Sequence, residues 1–295
     1  MIAMKHLLPL AACGVFLFGA ETANAGSAAR PVVVELYTSQ GCNNCPPADA
    51  LLGKLAQRSD VIALSLPITY WDMLGWKDTL ATEANTRRQK AYAEMMGHGG
   101  VYTPQIIVDG VMDVVGGRIA RVEAAIESRS QSIDTGVLIA DARKAEFAAT
   151  GRVSALASMP AAAPAPPAPP SLALQPHGAD PLIPVSVVEG PREMHIRIGA
   201  ADGSHNATVW MFHMRRAVNV DVKAGENEGR TLTYHNVVGD LRAVGVWKGP
   251  PLTLTLPRAA MAGLPHDGVA VIVQQGGYGH VVGAAYLARP DYSAQ

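Results

Sequence analysis

Between Pro31 and about Ser130 the chain alternates apolar runs with stretches of helical spacing. Val32 to Thr38 is almost continuously apolar, the pattern of a strand buried on both faces of a sheet. Ala48 to Gln57 follows with Leu51, Leu52 and Leu55 at helical intervals, and Val61 to Ile68 predicts a second buried strand. A polar helix is predicted from about Thr79 to Met96, stopped by Gly97 to Gly100. Gln105 to Val108 and Met112 to Val115 then form a hairpin that turns at Asp109-Gly110, and Arg118 to Ser128 closes the block as a helix. The predicted order is β-α-β-α-β-β-α, with parallel pairing in the first half.

The pattern changes in the C-terminal third. Short alternating bursts at His195–Ile198, Thr208–Met214, Val218–Val222, Leu252–Leu256, Val269–Val273 and Val281–Leu287 are separated by Gly, Pro and Asn turns, which predicts an all-β, sandwich-like domain. Between the two blocks, Met159 to Pro170 is dominated by Ala and Pro. Its prolines lack the donor that a helix or central strand needs, so the stretch predicts an extended spacer. The expected layout is a leader over 1–25, an α/β domain over 30–130, a linker over 131–180 and a β domain over 181–290.

The leader carries Lys5, an apolar stretch from Leu7 to Ala20 and the triplet Ala23-Asn24-Ala25, the pattern of a secretory signal cut after Ala25. That predicts a periplasmic or secreted product, with no membrane association after cleavage. A formal net charge of -1 gives no general field to attract nucleic acid. Of the 3 cysteines, Cys13 lies in the leader, so the mature chain keeps only Cys42 and Cys45. Export places the pair where a disulfide persists.

The two-residue gap between Cys42 and Cys45 lets both sulfurs share the first turn of one helix. Pro46 and Pro47 suit that turn, where the N–H has no intrahelical acceptor. Unpaired N–H groups and the positive end of the macrodipole favour a thiolate there. Cys42, preceding the helix, is assigned as the exposed nucleophile and Cys45 as the resolving thiol. The spacing alone equally permits a permanent structural disulfide.

Strand, Gly41-Cys42-Asn43-Asn44-Cys45-Pro46, helix, and then Thr103-Pro104-Gln105-Ile106-Ile107-Val108-Asp109-Gly110 together resemble the thioredoxin superfamily. The resemblance implies a thioredoxin-like fold, a cis Pro104 facing the disulfide, and a Thr103 backbone offered to an extended substrate. It also implies that Glu35, within the first strand, serves as a buried acid for the resolving thiol; the alternative is an edge-facing Glu paired with Lys or Arg. Asn43-Asn44 departs from the dipeptides of familiar reductive and oxidising members, which leaves the direction of electron flow open. Taken whole, the chain is similar to the exported bacterial family catalogued as domain of unknown function 1223. That similarity rests on Glu35 to Cys42, Tyr70-Trp71-Asp72, Gly75-Trp76, Tyr102 to Gln105 and Gly229 to Val238.

Trp71 and Trp76 are assigned to a peptide groove beside the cysteines, with core packing or contact with the second domain an equal alternative. The function expected is an exported thiol–disulfide oxidoreductase acting on protein or peptide thiols and disulfides, without cofactor or metal. One alternative is a binding module with a structural disulfide. Another is a Cu(I) carrier using the thiols with His98, Met95 and Met96. Tyr234, His235 and Asn236 suggest a polar site in the β domain or a hydrogen-bonded junction between domains.

Overall fold

The computed structural model describes residues 30–133, 183–203, 205–257 and 267–288. The expected signal segment, the Ala-Pro-rich stretch and most of the expected linker lie outside the described residues.

The first block forms the elements that its pattern dictates. β1 (Val32–Thr38), α1 (Pro46–Leu55), β2 (Val61–Pro67), α2 (Glu83–Met95), β3 (Gln105–Val108), β4 (Met112–Val115) and α3 (119–133) follow in order. α1 opens on Pro46 and Pro47, with Cys45 at its N-cap. α2 starts at Thr82, whose side chain accepts from the Asn85 N–H. β1 pairs with β2 in parallel and with β3 antiparallel, and β4 completes that edge.

The C-terminal block differs from a separate sandwich domain. β5 (Val185–Glu189), β6 (Glu193–Ile198) and β9 (Leu252–Pro257) form a three-stranded antiparallel sheet. β7 (Ala207–Asp221), β8 (Thr231–Trp247), β10 (Gly268–Gln275) and β11 (Val281–Ala288) join the first block in one eight-stranded sheet, ordered β11-β10-β7-β8-β2-β1-β3-β4. The join lies between β8 and β2, in parallel, at Val237 opposite Ser65. It covers the open edge that β2 would otherwise present. The small sheet packs Met194, Ile196 and Ile198 against Val209, Met211, Val271 and Val273 of the large one, which is shared with the α/β block.

Alternation along β1 sends neighbouring side chains to opposite faces. Val32, Val34 and Leu36 meet Leu51, Leu52 and Leu55 of α1. Val33 and Tyr37 meet Tyr92 of α2, in a core that continues to Phe212, Ala270 and Ile272 across the join. Among the described residues, no helix is long and apolar enough to cross a membrane.

β7 and β8 are longer than the rest of the sheet. They pair as far as Asp221 opposite Thr231, so their outer halves leave the sheet as a hairpin arm that packs over α1. Asn236, with a φ of 48°, marks the departure, and its side-chain amide donates to the Ala63 carbonyl of β2 at 3.0 Å.

Candidate functional site

β1 delivers the chain into a tight turn before α1. The Cys42 N–H donates to the Ser39 carbonyl at 3.2 Å, and the Gly41 N–H donates to the Ser39 hydroxyl at 3.1 Å. Cys42 and Cys45 are joined as a disulfide with their Cα atoms 5.4 Å apart. Asn43 and Asn44 form the exposed crest of the ring.

The sequence reading places Cys42 as an exposed nucleophile, and here the structure corrects it. Cys42 is 1% exposed and Cys45 0%. Two elements remote in sequence pack on the turn that carries the pair. Trp71 lies on Gly41 so closely that a Cβ there would stand 3.3 Å from the Trp71 Cβ, and its indole N–H donates to the Thr103 hydroxyl at 2.9 Å. The tip of the arm supplies Asn227, fully buried, whose amide donates at 2.9 Å to the carbonyls of both Gln40 and Cys42. Beside it the Asn43 N–H donates to the Glu226 carboxylate at 3.3 Å. Trp76 supports this cover from below, donating to the Gln40 side chain at 2.8 Å and packing where a Cβ on Gly225 would come within 3.2 Å.

Pro104 stands next to the same turn. The Thr103–Pro104 bond is cis. A Cβ built on Gly116 would lie 3.0 Å from the Ala48 Cβ of α1 and 3.1 Å from the Pro104 Cβ, so only this glycine separates the proline from the first turn of the helix. Cys42, Cys45, Thr103, Pro104, Trp71 and Trp76 are thus gathered around one helix tip.

Glu35 is not among them. Its side chain points to the face of β1 away from α1, where Arg88 of α2 donates to it at 2.6 and 2.9 Å and the hydroxyls of Tyr37 and Tyr92 donate at 3.0 and 2.7 Å. Arg88 also donates to Gln274 of β10 at 2.9 Å and lies 5.0 to 5.6 Å from four ring centroids, those of Tyr92, Trp210, Phe212 and Tyr278. Burial is the largest single effect and disfavours the Arg88 cation, but the Glu35 charge and its hydrogen bonds, together with Tyr92 and Tyr37, outweigh it and raise the pKa.

The acid on the α1 side is Asp49. It lies one turn after Cys45, with its N–H donating to the Cys45 carbonyl at 3.1 Å. The side chain is buried, and neither carboxylate oxygen completes a hydrogen bond among the described residues. Burial pushes its pKa up to about 8, against a smaller lowering by the nearby Thr38 hydroxyl and with a further rise from Asp78. Asp78 is itself raised by burial, although N–H groups of Gln40, Leu80 and Ala81 hold its charged form. Tyr234 of the arm, buried against both carboxyls, is raised as well.

His235 lies over Gly53, and α1 and the arm enclose a 360 Å³ cleft lined in part by Pro46, Asp49, Lys54, Thr233 and His235. Tyr234, His235 and Asn236 therefore stand at the junction between the arm and the first block. His98 pairs with Asp113 at 3.0 Å, and Met95 is exposed. Among the described residues, no three of His, Cys, Asp or Glu are grouped to hold a metal ion.

With the site in place, comparison with known proteins decides the family. The model of a family described as a protein of unknown function, DUF1223, matches residues 33–164 and 172–274. The chain belongs to the DUF1223 family. This DUF1223 protein is similar to protein AGR_C_4864 from Agrobacterium tumefaciens, known from an X-ray crystal structure. The two share 31% identity and a TM-score of 0.64 over 91% of this chain and 98% of that one. A likeness to HBP35 of Porphyromonas gingivalis has a TM-score of 0.49 at 13% identity, over 92% of this chain and 80% of that one. No functionally curated protein matches the DUF1223 chain.

Sequence reasoning missed Glu226, Asn227, Asp49 and Arg88. The first two lie in a turn whose sequence, Gly225-Glu226-Asn227-Glu228-Gly229, says only that the chain reverses. Asp49 left a signal: it shares the apolar stripe of α1 with Leu52, three positions on, so a charge there falls on the core face.

Proposed function

We propose that this DUF1223 protein is an exported, thioredoxin-like thiol–disulfide oxidoreductase, in which Cys42 exchanges disulfides with a partner polypeptide and Cys45 resolves the mixed disulfide. The observation that carries the reading is the convergence of the Cys42–Cys45 disulfide at the tip of α1 with Pro104, held against Ala48 across Gly116. Helix dipole and unpaired N–H groups favour thiolate at that tip. As a staple the bond is ineffective, because closing so short a ring removes only about 2 kcal/mol of chain entropy, against about 4.7 for a loop of roughly 100 residues.

Burial of Cys42 sets a condition on the reaction. A partner reaches its sulfur once the arm tip withdraws from Gln40 and Cys42, which frees the carbonyls that Asn227 occupies. The partner is an extended polypeptide carrying a thiol or disulfide, with Thr103, Trp71 and Trp76 at its docking edge. Cleavage after Ala25 delivers the chain to the periplasm or the medium.

A second reading, a non-catalytic binding module with a fixed disulfide, is favoured by the burial of both sulfurs. One experiment separates the two. Reduced Cys45→Ser protein is mixed with a disulfide-bearing peptide, and adducts are mapped by mass spectrometry. The proposal expects a mixed disulfide at Cys42 and none in Cys42→Ser. No adduct, together with no insulin-reducing or dithiol-oxidising activity in the unmodified protein, establishes the second reading.

A further inference from the structure

Thiol–disulfide exchange needs a proton at the buried sulfur. When a partner thiolate attacks Cys42, the Cys42–Cys45 bond breaks and its electron pair leaves on the Cys45 sulfur. Cys45 is 0% exposed, so water does not supply the neutralising proton directly, and an uncompensated thiolate in such a site is costly. Glu35 is on the other face of β1, with both oxygens committed to Arg88 and two tyrosines.

Asp49 meets the requirement. It stands at i+4 from Cys45 with an intact backbone hydrogen bond between them, which places the two side chains on one helix face with Cβ atoms roughly 5–6 Å apart. It is buried beneath α1 and has two oxygens without hydrogen-bond partners among the described residues. The Thr38 and Tyr234 hydroxyls, also buried and unpaired among the described residues, lie on the same side of the sheet. Resting on the oxidoreductase reading, we propose that Asp49 holds the proton of the Cys42–Cys45 reaction, giving it to Cys45 on reduction and taking it back when Cys45 resolves the mixed disulfide.

The balance is simple. In reduction, the partner sulfur bonds to Cys42, the Cys42–Cys45 bond breaks, the proton moves from the Asp49 carboxyl to Cys45, and Asp49 is left as carboxylate. A second thiolate of the same partner then releases Cys42, and the partner is oxidised to its disulfide. In the reverse direction the Asp49 carboxylate takes the Cys45 proton, and the thiolate formed expels the partner from Cys42. A carboxyl that keeps its proton to about pH 8 can donate at neutral pH. The groups facing it are Thr38 from β1, Asp78 from the loop before α2, and Tyr234 from β8, with His235 and Lys54 across the adjoining cleft.

The test measures reduction of the disulfide by dithiothreitol in the full mature chain, from roughly pH 6 to pH 9.5, for the unmodified protein and Asp49→Asn. The ratio of the two rates cancels the titration of dithiothreitol itself. The expected ratio is about tenfold or more at neutral pH and falls toward one above about pH 8. A ratio of one throughout, or a constant ratio indicating a purely structural effect, overturns the proposal. Infrared difference spectra between the oxidised and reduced unmodified protein give an independent readout. A carboxylic-acid carbonyl band that Asp49→Asn lacks is expected, and its absence in the unmodified protein overturns the assignment. Either failure with normal exchange in the unmodified protein rejects Asp49 alone, whereas a pair that forms no adduct at Cys42 rejects the oxidoreductase reading beneath it.

Discussion

The Asn227 side-chain amide donates to the backbone carbonyl of Cys42 at 2.9 Å, across 185 positions of chain. A second bond of the same length goes to Gln40, so one buried amide ties the arm tip to the turn that carries the disulfide. Replacing Asn227 with Ala removes both bonds; the Cys42 carbonyl keeps the Cys45 N–H at 3.2 Å, but the Gln40 carbonyl loses its amide partner, which favours the open arm by about 1.4 kcal/mol. Reduction of the pair by dithiothreitol is therefore expected to quicken about tenfold. An unchanged rate means that the arm does not limit access.

The Glu35–Arg88 pair joins the two halves of the large sheet, since Arg88 reaches both β1 and Gln274 of β10. Removing one partner of a buried pair strands the other charge. Glu35→Gln and Arg88→Met are each expected to cost about 3–5 kcal/mol of stability, measured by urea unfolding. A loss below about 1 kcal/mol would show that the pair does not hold the junction.

Asp49 makes stability fall with pH. In the folded chain its carboxyl titrates near pH 8, against 3.8 for the ordinary value. Below the lower value both states are protonated and the group is neutral to stability. As pH rises from 3.8 towards 8 the unfolded chain releases its proton while the folded chain keeps it, so folding is progressively penalised, and above about 8 the penalty is constant. Asp49→Asn is expected to be more stable than the unmodified protein at neutral pH by on the order of 3 kcal/mol. It should also lose this slope in denaturant titrations across the window. A variant less stable than the parent at neutral pH would mean that the carboxyl is compensated in the interior.

Gly53 makes room for the arm. A Cβ there would sit 2.6 Å from His235 Cδ2, so Gly53→Ala must displace the imidazole and is expected to cost roughly 1–3 kcal/mol. The double variant Gly53→Ala, His235→Ala should recover most of that loss. Equal losses in the single and double variants would place the strain elsewhere.

Much of the first block was legible because its pattern is local. The apolar run of Val32–Thr38, the prolines at 46 and 47 and the Asp109-Gly110 turn each specify an element without reference to the rest of the chain. β8 was not legible. Gly239, Asp240, Arg242 and Gly245 interrupt its alternation, and register shifts opposite Val209/Trp210 and His213/Met214 break the period further. Arg215-Arg216 likewise suggested a break where β7 runs on. Missing those two long strands hid the arm, and with it the burial of Cys42. The cysteine pair could be read from motif spacing, and Thr103 and Pro104 from the resemblance to thioredoxin-like proteins. Their cover could not, because it depends on contacts made from residues 225–227, far along the chain.

The proposed chemistry requires Cys42 and Cys45 to cycle between disulfide and dithiol in the folded protein. Equilibrating the pair against glutathione or dithiothreitol redox buffers, and counting free thiols by mass spectrometry, tests it most directly. A reduction potential in the range of exchange proteins, between about -270 and -120 mV, is expected. A value below about -300 mV, resistant to the glutathione pool, would make the bond a permanent part of the fold and contradict the claim.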